Sequence, residues 1–167
     1  MNTILNSQTK RTRVGIFIIE NFKVYVCLAE PSFKYKYIIP GGGIEGKETC
    51  QQAAIREAKE EIGIIPKNVK LINHPNNPYL MCGLKEYGFK YDCSELYHTY
   101  GEVSKFDNSS IETYNGYVPK PILLAYNEIK EWLEWCLKIT KSEIPRHFKY
   151  NSDLEMLNYI NSLGLIK

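Results

Sequence analysis

The stretch from Pro40 to Ile64, PGGGIEGKETCQQAAIREAKEEIGI, restricts this chain more than any other. Three consecutive glycines behind a proline let the backbone turn tightly and approach a ligand closely, because glycine has no Cβ to obstruct either. From about Lys47 to Ile62 the pattern becomes helical, with Ala54, Ala58 and Ile62 recurring every four residues and Ile55 beside them on a narrow apolar stripe. Gly63 supplies a left-handed C-cap and Pro66 prevents the helix from resuming. On this helix Glu57, Glu60 and Glu61 stand three and four residues apart, so their carboxylates project from neighbouring positions. Unpartnered like charges at that spacing weaken a helix, whereas a divalent cation reverses the sign of the interaction. Hard ions such as Mg²⁺ take oxygen ligands, commonly a few carboxylates with substrate phosphates and water. An acidic run is also what a solvated helix face looks like, but the adjoining glycines favour phosphate held through metal.

Around this core the sequence reads as short strands and two late helices. Val14 to Ile19 is a continuous apolar run rich in β-branched residues, followed by Glu20-Asn21 and then Lys23 to Leu28. That pattern predicts a hairpin whose first strand is buried on both faces. Pro31 to Lys36 reads as a loop, and Tyr37-Ile38-Ile39 as a short strand stopped by Pro40 and the glycines. After the acidic helix, Val69 to Ile72 reads as a strand and His74 to Tyr79 as a loop. Tyr87, Phe89 and Tyr91 alternate like one aromatic face of a strand, Gly101 to Asn115 is a polar loop, and Pro121 to Tyr126 is a last strand. Ile129, Trp132, Leu133 and Cys136 follow helical spacing. Ser152 with Glu155 forms a capping box ahead of Leu154, Leu157 and Ile160, and Gly164 can end that second helix. No repeat or composition break marks a second domain, so residues 1–167 read as one domain with residues 1–12 as a flexible tail.

Composition narrows the partners. A chain of 167 residues can bury a core without staples, and 44% hydrophobic with 24% charged residues is ordinary for a soluble globular protein. A net charge of +2 argues against a nucleic-acid coat or an anionic membrane surface as the main partner. Lys10, Arg11 and Arg13 form the densest basic group and read as solvated. No run approaches the roughly 20 apolar residues of a membrane helix, and the N-terminus lacks a secretory apolar run, which predicts a cytoplasmic protein. Cys27, Cys50, Cys82, Cys93 and Cys136 are odd in number, without a CxxC pair or histidines at zinc-like spacing, and read as reduced thiols. The sequon at Asn108 is accidental on this reading.

The acidic helix and its glycines together resemble the Nudix box, G-x5-E-x7-R-E-U-x-E-E-x-G-U, where U is a bulky aliphatic residue. Gly42, Glu48, Arg56, Glu57, Glu60, Glu61, Gly63 and Ile64 occupy its fixed positions, and Ala58 in place of a larger aliphatic is the one departure. Resemblance to Nudix hydrolases implies an α+β fold, an α/β/α sandwich with a mixed β-sheet. It also implies hydrolysis of a nucleoside diphosphate linked to a further group X, with two or three Mg²⁺ or Mn²⁺ ions present once substrate is bound. Carried over position by position, Glu57, Glu60 and Glu61 are metal ligands, with Glu57 also helping to activate water. The Gly41 carbonyl completes a shell, Glu48 is an outer-sphere or additional ligand, and Arg56 braces a carboxylate. Arg56 also reads as a surface partner of Glu60, four residues away.

The box leaves X open. Tyr79 lies where diadenosine-polyphosphate hydrolases tend to carry a tyrosine, and Pro78 near where ADP-ribose pyrophosphatases tend to carry a proline, so a dinucleoside polyphosphate, ADP-ribose or another such conjugate, and a (d)NTP all stay as candidates. Lys34 and Lys36, just before the glycines, are candidates for phosphates that metal leaves uncovered. Tyr87, Phe89 and Tyr91 are candidates to stack a base, or are sheet core. Glu102 is the candidate distal carboxylate, with Glu95 and Glu112 competing. The expected partner is a small nucleotide; nucleic acid is disfavoured apart from a capped RNA end, and the oligomeric state is open, a homodimer being compatible. The competing reading is a catalytically weak module that binds a nucleotide or a capped RNA end.

Overall fold

The computed structural model describes residues 9–167. Strands β1 (Lys10–Glu20) and β2 (Lys23–Leu28) form the expected hairpin, followed by short strands β3 (Tyr37–Ile38) and β4 (Gly41–Gly43) and helix α1 (Cys50–Ile62). Then come β5 (Ile64–Leu71), β6 (Tyr79–Met81), a single 3-10 turn over Leu84–Tyr87, and the long β7 (Cys93–Phe106). Strand β8 (Lys120–Leu124) and helices α2 (Tyr126–Ile139) and α3 (Ile144–Ser162) close the chain. The sheet runs β3-β2-β1-β7-β5, with β4 also on β1, β6 on β7 and β8 on β2. It is mixed: β1 and β7 are parallel, and the other pairs are antiparallel.

Side chains alternate across β1, which explains its continuous apolar run. Val14, Ile16 and Ile18 pack with Ala53, Ala54, Ala58 and Ile62 of α1 on one face. Phe17 points to the other, with Ile129, Leu133, Met156 and Leu157 of α2 and α3. The result is the α/β/α sandwich with a mixed sheet. Helix α1 starts at a capping box, in which Thr49 accepts from the Gln52 N–H and Gln52 accepts from the Thr49 N–H. It stops at Gly63, whose φ of 64° is the expected left-handed cap.

Several expectations are corrected. Lys10 to Thr12 begin β1 rather than a tail, because β7 offers them ladder partners from Cys93 onward; residues 1–8 lie outside the described residues. Tyr87, Phe89 and Tyr91 do not form a strand. Gly83 and Gly88, both with positive φ, bend this segment into the 3-10 turn and the loop beyond it. Gly101 to Phe106 belong to β7 rather than a loop; Gly101 is buried and Val103 packs on the core, while Glu102, Ser104 and Lys105 are exposed and supply the polar character. Ser152 is not a cap: α3 begins eight residues earlier at Ile144, with Pro145 in its first turn, and the Ser152 hydroxyl donates to the Lys149 carbonyl. Cys82 and Cys93 form a disulfide that ties β6 to the start of β7, instead of remaining reduced. Cys27, Cys50 and Cys136 are free, and burial pushes Cys27 and Cys136 up to about 12, so neither is a ready nucleophile.

Candidate active site

The glycines after Pro40 are not a tight turn. They lie extended as β4, with Gly41 opposite Gly15, Gly42 opposite Val14 and Gly43 opposite Arg13 on β1. Their use is close approach. A Cβ on Gly41 would stand 2.3 Å from the Val14 carbonyl oxygen, and one on Gly42 would stand 2.2 Å from Glu57 Oε1. Only bare backbone lets α1 press its acidic face onto this strand.

Arg56 organises that face. Its Nε and Nη2 grip the two oxygens of Glu48 at 2.7 and 3.1 Å, and Nη2 also donates to the Gly43 carbonyl at 2.9 Å. Nη1 reaches Glu57 Oε1 at 2.8 Å and Glu60 Oε2 at 3.2 Å. One planar fork thus holds three carboxylates and the glycine strand in register. The expected pairing with Glu60 exists but is a minor part of the set. Glu48 is engaged at both oxygens, since Oε2 also accepts from the Glu45 N–H. Arg56, with the Glu45 N–H second, holds its carboxyl below the usual range.

Glu61 behaves differently. Its Oε2 accepts from the Gly41 N–H at 3.1 Å, deep between α1 and β4. Burial pushes it up to about 8, against the pull of that N–H; Glu57 and Glu112 add repulsion, and Lys149 opposes them. Because Arg56 draws Glu48, Glu57 and Glu60 while Glu61 leans on Gly41, no three His, Cys, Asp or Glu side chains among the described residues are gathered closely enough to hold a metal as they stand. The donor chemistry still suits a hard divalent cation. Every donor is an oxygen, and a buried acid beside a second acid gains most from a positive ion.

The other sequence candidates scatter. Lys34 lies 4.0 Å from Glu143, Lys36 sits over the Tyr37 ring, and neither lines a cavity described below. Tyr79 is wedged between the rings of His98 and Phe148, its hydroxyl buried without a hydrogen-bond partner. Among the distal carboxylates, Glu95 takes Lys10 and Glu102 takes the Asn68 amide. Glu112 is the one at the site: its backbone N–H donates to the Glu60 carbonyl at 2.8 Å, and its charge bears on Glu61.

Sequence reasoning missed a basic and aromatic cleft next to Glu61. A cavity of about 150 Å³ brings Gly41 and Glu61 together with Arg13 of β1 and Lys149 and Asp153 of α3. Arg13 and Lys149 also line a larger neighbour of about 590 Å³, walled by Tyr37, Phe89, Trp132 and Arg146. Lys149 Nζ pairs with Asp153 Oδ2 at 2.8 Å, and Asp153 Oδ1 takes His98 Nε2 at 2.8 Å. Burial pushes the Asp153 carboxyl up, but Lys149 and His98 together hold it below its usual range. Arg13 was legible only as one of three basic residues close together, Lys10, Arg11 and Arg13; its place beside Lys149 of α3 comes from tertiary packing.

A NUDIX domain model matches residues 9–137. The chain is 38% identical over 69 residues to an RNA pyrophosphohydrolase of Baumannia cicadellinicola subsp. Homalodisca coagulata, covering 41% of this chain and 43% of that protein. It is 40% identical over 60 residues to an 8-oxo-dGTP diphosphatase of Escherichia coli strain K12, covering 35% and 46%. With an ADP-ribose pyrophosphatase of Methanocaldococcus jannaschii it shares 44% identity over 64 residues, 38% of each chain. The chain spans less than half the length of these curated relatives. Among solved structures, an ADP compounds hydrolase superposes with a TM-score of 0.58 at 15% identity, covering 93% of this chain and 76% of that one. A hydrolase of the same family from Nitrosomonas europaea gives 0.54 at 20% identity, covering 73% and 76%. At such identities the likeness speaks for the fold. No helix among the described residues is long and apolar enough to cross a membrane.

Proposed function

As the chain belongs to the NUDIX family, we propose that it is a divalent-metal-dependent nucleotide pyrophosphohydrolase, cleaving the P–O–P linkage of a nucleoside diphosphate joined to a further group X. The observation that carries this reading is the Arg56 fork holding Glu48, Glu57 and Glu60 against the glycine strand, with Glu61 buried beside them. Such order in an acidic cluster is unneeded on a solvated helix face. Glu57, Glu60 and Glu61, with the Gly41 carbonyl, would hold Mg²⁺ or Mn²⁺, which when bound screens the pyrophosphate charge and acts as Lewis acid.

The remaining work falls to the chain itself. Arg56 fixes Glu57 through Oε1, which leaves Oε2 to accept the proton of the attacking water. The water oxygen bonds to phosphorus as the bridging P–O bond breaks, and the departing phosphate keeps the bridging oxygen and its electron pair. Glu48 acts through Arg56, both of its oxygens being committed. The names of the relatives, together with the open choice of X, define the test panel: (d)NTPs including 8-oxo-dGTP, ADP-ribose and other NDP conjugates, dinucleoside polyphosphates, and RNA with 5′-phosphorylated or capped ends. Turnover of one class in Mg²⁺ or Mn²⁺, with products identified and none in EDTA, is the expected result. Tight binding of a nucleotide without turnover of any panel member would instead make the domain a binding module.

A further inference from the structure

The cleft beside Glu61 is lined by three cations, Arg13, Arg146 and Lys149, and two of them are paired with acids other than Glu61. Lys149 is paired with Asp153, and Arg146 lies 3.4 Å from Glu143. Arg13 is different: among the described residues its guanidinium has no ion-pair or hydrogen-bond partner, and its buried Nε is unsatisfied. An unpaired buried donor costs on the order of 1 to 3 kcal/mol, more on a charged group, so its retention points to a ligand that completes it. Arg13 faces both the cavity that holds Gly41 and Glu61 and the larger aromatic one, and Lys149 lines both as well.

This arrangement orders a ligand along one path. At one end are the carboxylates assigned to metal and to the scissile linkage. Next come two cations, one of them a planar fork suited to bidentate phosphate contact. Beyond them, Tyr37, Phe89 and Trp132 offer ring faces and edges to a base. Two phosphates of a nucleoside diphosphate conjugate are accounted for at the carboxylate end. Arg13, unpaired beside Lys149, then calls for another anionic group between that end and the base.

We propose that Arg13 and Lys149 form a seat for an additional phosphate, so that the preferred substrate is a nucleoside polyphosphate with three or more phosphates and its base in the aromatic cleft. This rests on the pyrophosphohydrolase reading for the position of the scissile linkage, but its test does not need turnover. Calorimetric titration in Mg²⁺ compares an adenosine triphosphate analogue, methylene-bridged at both linkages, with α,β-methylene ADP. The wild-type protein should bind the triphosphate analogue roughly tenfold tighter or more, as one charge-assisted phosphate contact implies. In Arg13→Gln the ratio should fall to near one, and Arg13→Lys should recover part of it, with thermal melting confirming that each variant folds. Equal affinity of the wild type for the two analogues overturns the proposal, as does a full preference retained by Arg13→Gln. Failure of the substrate panel with this preference intact would overturn the hydrolase reading alone.

Discussion

Replacing Glu61 by glutamine separates its charge from its shape, and the structure gives the size of the effect. In the metal-free protein, burial holds the Glu61 carboxyl near 8 against an ordinary value of 4.5. The folded state therefore binds a proton that the unfolded chain has released across that interval. The contribution of this proton to stability is complete below pH 4.5 and is lost as pH rises through about 8. At 1.36 kcal/mol per pH unit the interval corresponds to at most about 5 kcal/mol, an upper bound because local rearrangement would relieve part of it. Glutamine is neutral throughout and can still accept from the Gly41 N–H through its carbonyl oxygen. Glu61→Gln should thus match the wild type near pH 5 and exceed it by a few kcal/mol near pH 8.5 in EDTA.

Mg²⁺ should narrow that gap. A cation bound only in the folded state adds RT ln(1 + [L]/Kd), about 2.7 kcal/mol at one hundred times Kd, and it needs the ionised carboxylate. The wild type should gain from millimolar Mg²⁺ increasingly between pH 6 and 8.5 at matched ionic strength, and Glu61→Gln should gain little. Urea unfolding at three pH values, with Mg²⁺ or EDTA, measures all of this. The difference between the two proteins matters more than either curve, since Glu48 and Asp153 titrate with the opposite sign. A difference flat in pH would refute the burial argument, and a full Mg²⁺ response in Glu61→Gln would place the ion elsewhere.

The acidic helix was legible because its determinants are local, whereas the glycines behind Pro40 read as a turn and lie instead as β4 against β1. Thr49 and Gln52 cap one end, Gly63 caps the other, and the spacing of Arg56 and the glutamates already puts them on one face. What was illegible depends on long-range assembly. Arg13 and Lys149 are far apart in sequence and meet because β1 pairs with β7 in parallel while α3 covers that side of the sheet. No spacing rule encodes such a meeting. The same holds for Cys82 and Cys93, whose pairing follows from β6 running back along β7 with Met81 opposite Ser94. Tyr87, Phe89 and Tyr91 carried a true strand period, but the left-handed glycines flanking the 3-10 turn overrode it. For α3 the informative signal was Pro145, suited to a first helical turn, rather than the capping pattern at Ser152.

Arg56→Lys keeps a charge but cannot span both Glu48 oxygens, the Gly43 carbonyl and Glu57 together, so kcat should fall roughly 10- to 100-fold with near-normal melting; unchanged kinetics would reduce Arg56 to a surface partner. Cys82→Ser should lower unfolding stability by about 2 to 3 kcal/mol under oxidising conditions and by nothing after treatment with a reductant, which tests the disulfide directly. Gly42→Ala and Gly46→Ala separate the two uses of glycine. Gly42 needs no unusual backbone, but a Cβ there would stand 2.2 Å from Glu57 Oε1, so alanine should displace that carboxylate and lower activity on the order of 10-fold or more. Gly46 has a φ of 54° and open space around it, so alanine should cost about 1 kcal/mol of stability with kcat near wild type. Equal losses of activity in the two variants would mean that the loop between β4 and α1, rather than the approach of Glu57 to the glycine strand, governs the site.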